Sequence, residues 1–187
     1  MNNLKKFYDI NGYYLPIETL CLNEVNVAAK RLESIYFNPP KNIKHPWNLQ
    51  AHLLANWIYD LCISPTLLDA VEKVIGPNIL IQSADIFIKP PHGKKHINWH
   101  QDANYWGLHP YELVTGWIAL TDVNIDNGCM SYLPKSHLNN KIDHTETFEE
   151  NSDLTRGQEI NLSINNNDIV PVILKKGQAS LHHCLLA

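Results

Sequence analysis

The feature that most constrains this chain is a change of hydrophobic period at Gly76-Pro77. Upstream, apolar residues recur at three-to-four spacing, first Leu53, Leu54, Trp57, Ile58 and Leu61, then Leu67, Leu68, Val71, Val74 and Ile75. That spacing gathers them into one stripe on a helix. Downstream, Ile79-Leu80-Ile81 and Ile86-Phe87-Ile88 begin a series of short β-branched runs divided by Pro, Gly and Asn-Gly, the pattern of strands between turns. Helices first and strands afterwards argue for an α+β chain with a mainly β core, rather than a parallel sheet wound through βα units. One domain is expected over 1–187, helical over 1–77 and β over 78–187.

The finer reading follows the punctuation. Leu4 to Leu15 reads as a short helix or extended arm leading into a turn at Asn11-Gly12, and a surface helix is expected from Ile17 to the Asn38-Pro39-Pro40 breaker. Lys41 to Trp47 reads as loop, and Leu49 to Cys62 as helix. Ser64-Pro65 opens the next helix, because Ser suits the N-cap and Pro the first helical position, where the missing N–H is no loss. Strands are expected at Ile79–Lys89, Leu113–Val123, Cys129–Leu133, Ile169–Leu174 and Ala179–His183, with a short extended piece from Asn98 to Asp102. Pro134 to Asp168 is polar and too long for a plain hairpin loop, so it is either functional or mobile.

Charge and cysteine usage narrow the class. A formal net charge of -4 with no concentrated Lys/Arg run argues against a nucleic-acid partner or an anionic membrane surface. Cys21, Cys62, Cys129 and Cys184 form no C-x-x-C pair and read as reduced structural thiols. There is no signal-like apolar region after Met1 and no run of membrane-spanning length, so the expected location is cytoplasmic, and Asn161-Leu162-Ser163 is a chance match to a glycosylation acceptor.

The chemistry centres on His100-Gln101-Asp102. On an extended backbone side chains alternate, so His100 and Asp102 would share a face and could close on one metal ion. With a second histidine from a distant strand this makes the 2-His-1-carboxylate face of non-haem Fe(II) oxygenases. Gln101, Asn104, Tyr105 and Trp106 crowd polar and aromatic groups beside the pair, the composition of a concave site. His96 and His100 stand four apart, but Ile97 replaces the glutamate of a zinc-protease helix and Pro90, Pro91 and Gly93 oppose a helix there. A zinc hydrolase built on His100 and Asp102 lacks a glutamate base at suitable spacing. Asn127-Gly128 reads as a tight turn.

His100-Gln101-Asp102, Trp117, Asn127-Gly128-Cys129, Leu133-Pro134-Lys135-Ser136-His137 and Gly177 through His182-His183, taken in order, resemble the phytanoyl-CoA dioxygenase family of Fe(II)/2-oxoglutarate oxygenases over Ile79 to Ala187. The resemblance implies a double-stranded β-helix (jelly-roll, cupin-like) with N-terminal helices packed on it. It implies Fe(II) and 2-oxoglutarate as cofactors, ascorbate as reductant in assays, and a small-molecule substrate and O2 as partners. His100 and Asp102 match the proximal metal ligands, and Gln101 and Trp117 match residues lining the 2-oxoglutarate pocket. Asn104, Tyr105, Trp106, His182 and His183 fall at substrate-facing or neighbouring positions, and His109 and Tyr111 near the entrance. The retained Asp102 carboxylate implies hydroxylation, since halogenating relatives replace it by a small residue.

The pattern departs at its end. The family's distal histidine follows just after the position of Ala187, and the arginine that pairs with 2-oxoglutarate lies beyond it, so the expectation is a truncated chain lacking its last strands. His182 and His183 face opposite sides of a strand, so only one can point inward. The expected activity is hydroxylation of a C–H bond with 2-oxoglutarate and O2 converted to succinate and CO2; the alternative is an inactive fragment or a non-catalytic jelly-roll binding module.

Overall fold

A computed structural model describes residues 3–39, 41, 50–154 and 156–187. Helix α1 (Asn3–Asn11) leads into strand β1 (Tyr13–Glu18), followed by helices α2 (Leu22–Phe37), α3 (Ala51–Leu54), α4 (Asn56–Cys62) and α5 (Pro65–Ile75). A single helical turn, α6 (Ala103–Trp106), precedes strands β2 (Val114–Ile118), β3 (Ser131–Tyr132), β4 (His144–Glu146), β5 (Gln158–Ile160), β6 (Val170–Pro171) and β7 (Gln178–His183). Among the described residues the strands form an antiparallel sheet in the order β1-β7-β2 and the pairs β3-β6 and β4-β5.

Strand β7 is central, and the alternation of its side chains separates two cores. Ala179 and Leu181 face outward, where Leu4 and Tyr8 of α1 and Leu67, Ala70, Val71 and Val74 of α5 cover them. Leu181 is wholly buried, and each such aliphatic side chain contributes about 1.5–3 kcal/mol. Gly116 on β2 leaves room at this contact, since a Cβ there would stand 3.2 Å from Leu67 Cδ1 and that side chain would have to give way. Ser180 and His182 face inward with Thr115 and Trp117 of β2, which they oppose in register. The inner cluster is completed by Tyr13, Ala119, Tyr132, Val172, Leu174 and Leu186.

The structure differs from the sequence reading at several points. Tyr13–Glu18 is a strand, not the lead-in to a surface helix. Pro16 is tolerated because β1 is an edge strand and the register breaks between Tyr14 and Ile17, where no ladder N–H is needed. The expected helix over Leu49 to Cys62 is two pieces, because Ala55 is extended at φ -147 and ψ 121. Its first residue, and the expected Lys41–Trp47 loop apart from Lys41, lie outside the described residues. Ile79–Lys89 forms no strand: exposure alternates along it as a strand's would, with Leu80 93% and Phe87 58% exposed, but it joins none of the sheets among the described residues. A β-strand is defined by its neighbour, and period alone does not supply one. The strand expected over Leu113–Val123 ends at Ile118, with an isolated bridge from Val123 to Leu174. Helix α5 runs from Pro65 to Ile75 and stops at Gly76, as its flanking signals require. No helix of the described residues is long and apolar enough to cross a membrane.

Candidate metal centre

His100 and Asp102 do come together, by a route other than the expected one. Asp102 is not extended: at φ -54 and ψ -39 it opens the α6 turn. That turn is tied to the end of β7 by Ala103 N–H donating to Cys184 O at 2.9 Å. His100 Nε2 stands 3.4 Å from Asp102 Oδ1, with the two side chains 24% and 21% exposed, open enough for a ligand to reach them. His100 Nδ1 lies 2.8 Å from Asn98 O, and a carbonyl can only accept, so Nδ1 carries the hydrogen and Nε2 is the atom turned to the carboxylate.

Three further elements converge on Asp102. Thr115 Oγ1 on β2 donates to Asp102 Oδ2 at 2.7 Å. His182 Nε2 on β7 lies 3.1 Å from the same oxygen. Tyr132 on β3 places its hydroxyl 2.9 Å from His182 Nδ1 and 2.9 Å from Ser180 Oγ. Burial opposes ionisation of Asp102, but hydrogen bonds and charge from His100 and His182 outweigh it and hold its pKa well below the ordinary carboxylate range. Burial likewise disfavours a charged His100, and the Asp102 hydrogen bond and charge override it, raising the His100 pKa.

The polar stretch after Pro134 is ordered against this pair of residues. It folds back as the β4-β5 hairpin, and His144 Nε2 accepts from Gln101 N–H at 3.0 Å. Gln101 is completely buried. Its Nε2 donates to Leu185 O at 2.7 Å and Asn140 O at 3.0 Å, while its Oε1 accepts from Ile142 N–H at 2.8 Å. Its amide, between His100 and Asp102 in sequence, thereby clips this loop to the end of β7.

Tyr105 sets its ring edge-on to His100 at 5.6 Å. The Gln158 amide satisfies both its neighbours when its nitrogen donates to Tyr105 Oη at 3.0 Å and its oxygen accepts from Arg156. Trp106 and Tyr111 pack on Ala103, Cys184 and Leu185, and His109 stacks edge-on against Tyr111 at 5.2 Å. Asn104 lies in the same turn, its N–H bonded to Gln101 O. Trp117 is half-buried on the inner sheet face, opposite Ser180.

His183 leaves this site. Its side chain faces α1, 6.3 Å from the Tyr8 ring and 5.3 Å from the His137 ring, and its Nδ1 accepts from Leu185 N–H. Burial pushes its pKa down to about 4. Sequence alone does not single out Asn98, Thr115, Tyr132, His144 or Ser180. Only Thr115 carries a usable signal, since it stands two residues before Trp117 on one strand and so shares its face.

His100 Nε2 and Asp102 Oδ1 are turned to each other at 3.4 Å, and His182 Nε2 faces the other carboxylate oxygen at 3.1 Å. Among the described residues no group of three or more His, Cys, Asp or Glu side chains is disposed to close on one ion. The pair suits an imidazole-and-carboxylate metal site of the non-haem kind. The matching sequence profile is that of phytanoyl-CoA dioxygenase (PhyH), over residues 9–187, and the chain belongs to that family. It is 29% identical to the peroxisomal phytanoyl-CoA dioxygenase of Bos taurus over all of its own length and 58% of the relative's. It is 33% identical to a probable alpha-ketoglutarate-dependent hypophosphite dioxygenase of Stutzerimonas stutzeri, over 50% of this chain and 32% of that one. The chain therefore spans little more than half the length of the curated relatives it matches from end to end. Among solved structures it is similar to the non-heme monooxygenase ThoJ in its apo form, with a TM-score of 0.85 and 31% identity over 98% of this chain and 69% of that one. The carbocyclase SnoK shares the fold, with a TM-score of 0.71 at 24% identity over 100% of this chain and 76% of that one.

Proposed function

We propose that this protein is an Fe(II)- and 2-oxoglutarate-dependent oxygenase that hydroxylates a C–H bond of a small organic molecule, with 2-oxoglutarate and O2 converted to succinate and CO2. The observation that carries this reading is the pairing of His100 Nε2 with Asp102 Oδ1 at 3.4 Å in a partly open interior site. His100 and Asp102 would hold the metal. When bound, iron with 2-oxoglutarate supplies oxidising power that no side chain of the chain possesses.

The rest of the site positions and shields. Asn98 fixes the His100 ring through Nδ1. Gln101 holds the loop carrying Ile142 and His144 against Leu185, and so keeps the segment between the two metal-site residues from shifting. We assign Trp117, on the inner face with Thr115, to the wall of the co-substrate pocket. Tyr105 and Trp106, with Asn104 in the same turn, form the side from which a partly apolar substrate approaches. Support for the reading also comes from family membership. The complete β-helix of such enzymes belongs to this proposal.

The test is conversion of 2-oxoglutarate to succinate by the purified protein with Fe(II) and ascorbate, across a panel of small substrates. Turnover or uncoupled decarboxylation that is lost in Asp102→Ala is expected. Succinate no higher than in an iron-only blank, with and without every substrate, would sink the reading and leave a binding module.

A further inference from the structure

We propose that His182 is a positioning residue for Asp102, selecting which carboxylate oxygen is presented to a metal, and that it is not itself a ligand. The inference rests on the metal-site reading above. Both His100 and His182 direct Nε2 at one carboxylate, at 3.4 Å and 3.1 Å, and distance alone would enrol both as ligands. Their hydrogens distinguish them.

An ionised carboxylate only accepts, so the 3.1 Å contact from His182 Nε2 to Asp102 Oδ2 is an N–H donation. His182 Nδ1 then bears the lone pair and takes the hydroxyl hydrogen of Tyr132 at 2.9 Å. The Tyr132 oxygen, its hydrogen committed, accepts from Ser180 Oγ at 2.9 Å. The chain runs one way, from Ser180 through Tyr132 and His182 to Asp102. It is closed to water, with Ser180 0%, Tyr132 4% and His182 9% exposed. His100 is held the other way round, because Asn98 O takes its Nδ1 hydrogen and leaves Nε2 as the nitrogen it can give to a metal. The Nδ1 of His182 is instead occupied by Tyr132, and its Nε2 is committed to Asp102 Oδ2.

The two oxygens of Asp102 are thereby made unequal. Oδ2 receives Thr115 Oγ1 at 2.7 Å and His182 Nε2 at 3.1 Å. Oδ1 is left facing His100 Nε2. Register supports the arrangement, since Thr115 and His182 are directly paired on β2 and β7 and reach Asp102 side by side. Groups that orient a ligand in this way typically alter metal affinity by about 10–100-fold when removed.

The test uses the purified chain with Co(II) as the probe, Cu(II) for counting coordinated imidazoles by pulsed EPR, and 15N–1H NMR of the metal-free protein for tautomers. His182→Phe is expected to bind Co(II) about 10–100-fold more weakly with an unchanged far-UV CD spectrum. His182→Gln, which keeps an N–H for Oδ2, should recover most of that loss and give the same imidazole count as the wild type. Tyr132→Phe leaves His182 in place but removes the donor to Nδ1, and should cause a smaller fall; it serves where His182→Phe does not fold. In the metal-free protein His182 should carry a hydrogen on Nε2 and none on Nδ1, whereas His100 should carry one on Nδ1. One imidazole fewer in His182→Gln would make His182 a ligand and overturn the assignment. So would wild-type affinity in His182→Phe, or a hydrogen on Nδ1 alone at His182. Each of those results leaves the proposed function standing, whereas a wild type that binds neither Co(II) nor Fe(II) would overturn both.

Discussion

Gln101→Met tests whether the fully buried amide between His100 and Asp102 holds this region together. Methionine fills nearly the same volume and has no hydrogen-bonding amide, so the change deletes three bonds without opening a large cavity. The three partners lost are Leu185 O, Asn140 O and Ile142 N–H. The Leu185 carbonyl is enclosed in the interior, and leaving a buried acceptor unpaired costs about 1–3 kcal/mol. Asn140 and Ile142 lie nearer the surface, where water replaces part of what is lost, at about 0.5–1.5 kcal/mol each. The expected destabilisation is about 3–4 kcal/mol, which moves a urea midpoint down by about 1.5 M for an m-value of about 2–2.5 kcal/mol/M. Urea unfolding followed by tryptophan fluorescence and by far-UV CD measures it. A loss under about 1 kcal/mol would refute the claim that this side chain fastens the loop to β7.

Three further outcomes are expected. Gly12→Ala places a Cβ 2.6 Å from both His137 Nδ1 and Leu186 Cδ1 at φ +84. The left-handed backbone and the overpacking together cost about 2–4 kcal/mol, so calorimetry should show Tm lower by about 5–15 °C. Thr115→Val removes a hydroxyl donor to an ionised carboxylate and should destabilise by about 1.5–3 kcal/mol by chemical denaturation, with the sheet intact by CD. All four thiols are free; Cys21, exposed, should react first with a disulfide reagent at pH 8. Cys62, half-buried with its thiol pKa raised by burial, should follow, and Cys184, pushed up to about 11 by burial, should react only on unfolding.

What was legible in the sequence was local. Helix α5 could be bounded because its start and stop are written in adjacent residues, Ser64-Pro65 and Gly76-Pro77, and its stripe fills one face. Strand β7 was placed to within one residue, since Ala179 to His183 alternates between two buried faces. Strand β1 was missed because Pro16 and the nearby Asn11-Gly12 turn argue locally against a strand, and only its partner β7, distant in sequence, makes it one. Ile79–Lys89 is the reverse case. Its alternation is present in the exposure pattern, yet strand identity depends on a neighbour that no local pattern specifies.

The site divides in the same way. His100 and Asp102 were found because the pair is contiguous, although the alternation invoked for them fails: the helical turn at Asp102, not an extended strand, returns its carboxylate to the imidazole. The groups that tune that carboxylate come from β2, β3 and β7, and sequence spacing is silent about them. They are selected by register. A slip of one residue in the β2-β7 ladder would turn Leu181 and His183 inward and send His182 out among the helices. Register is in turn fixed by apolar burial on the opposite face, where Ala179 and Leu181 fit beneath α1 and α5. The outer core therefore decides which histidine reaches Asp102, and a core substitution at Leu181 acts on the surroundings of Asp102 without touching them.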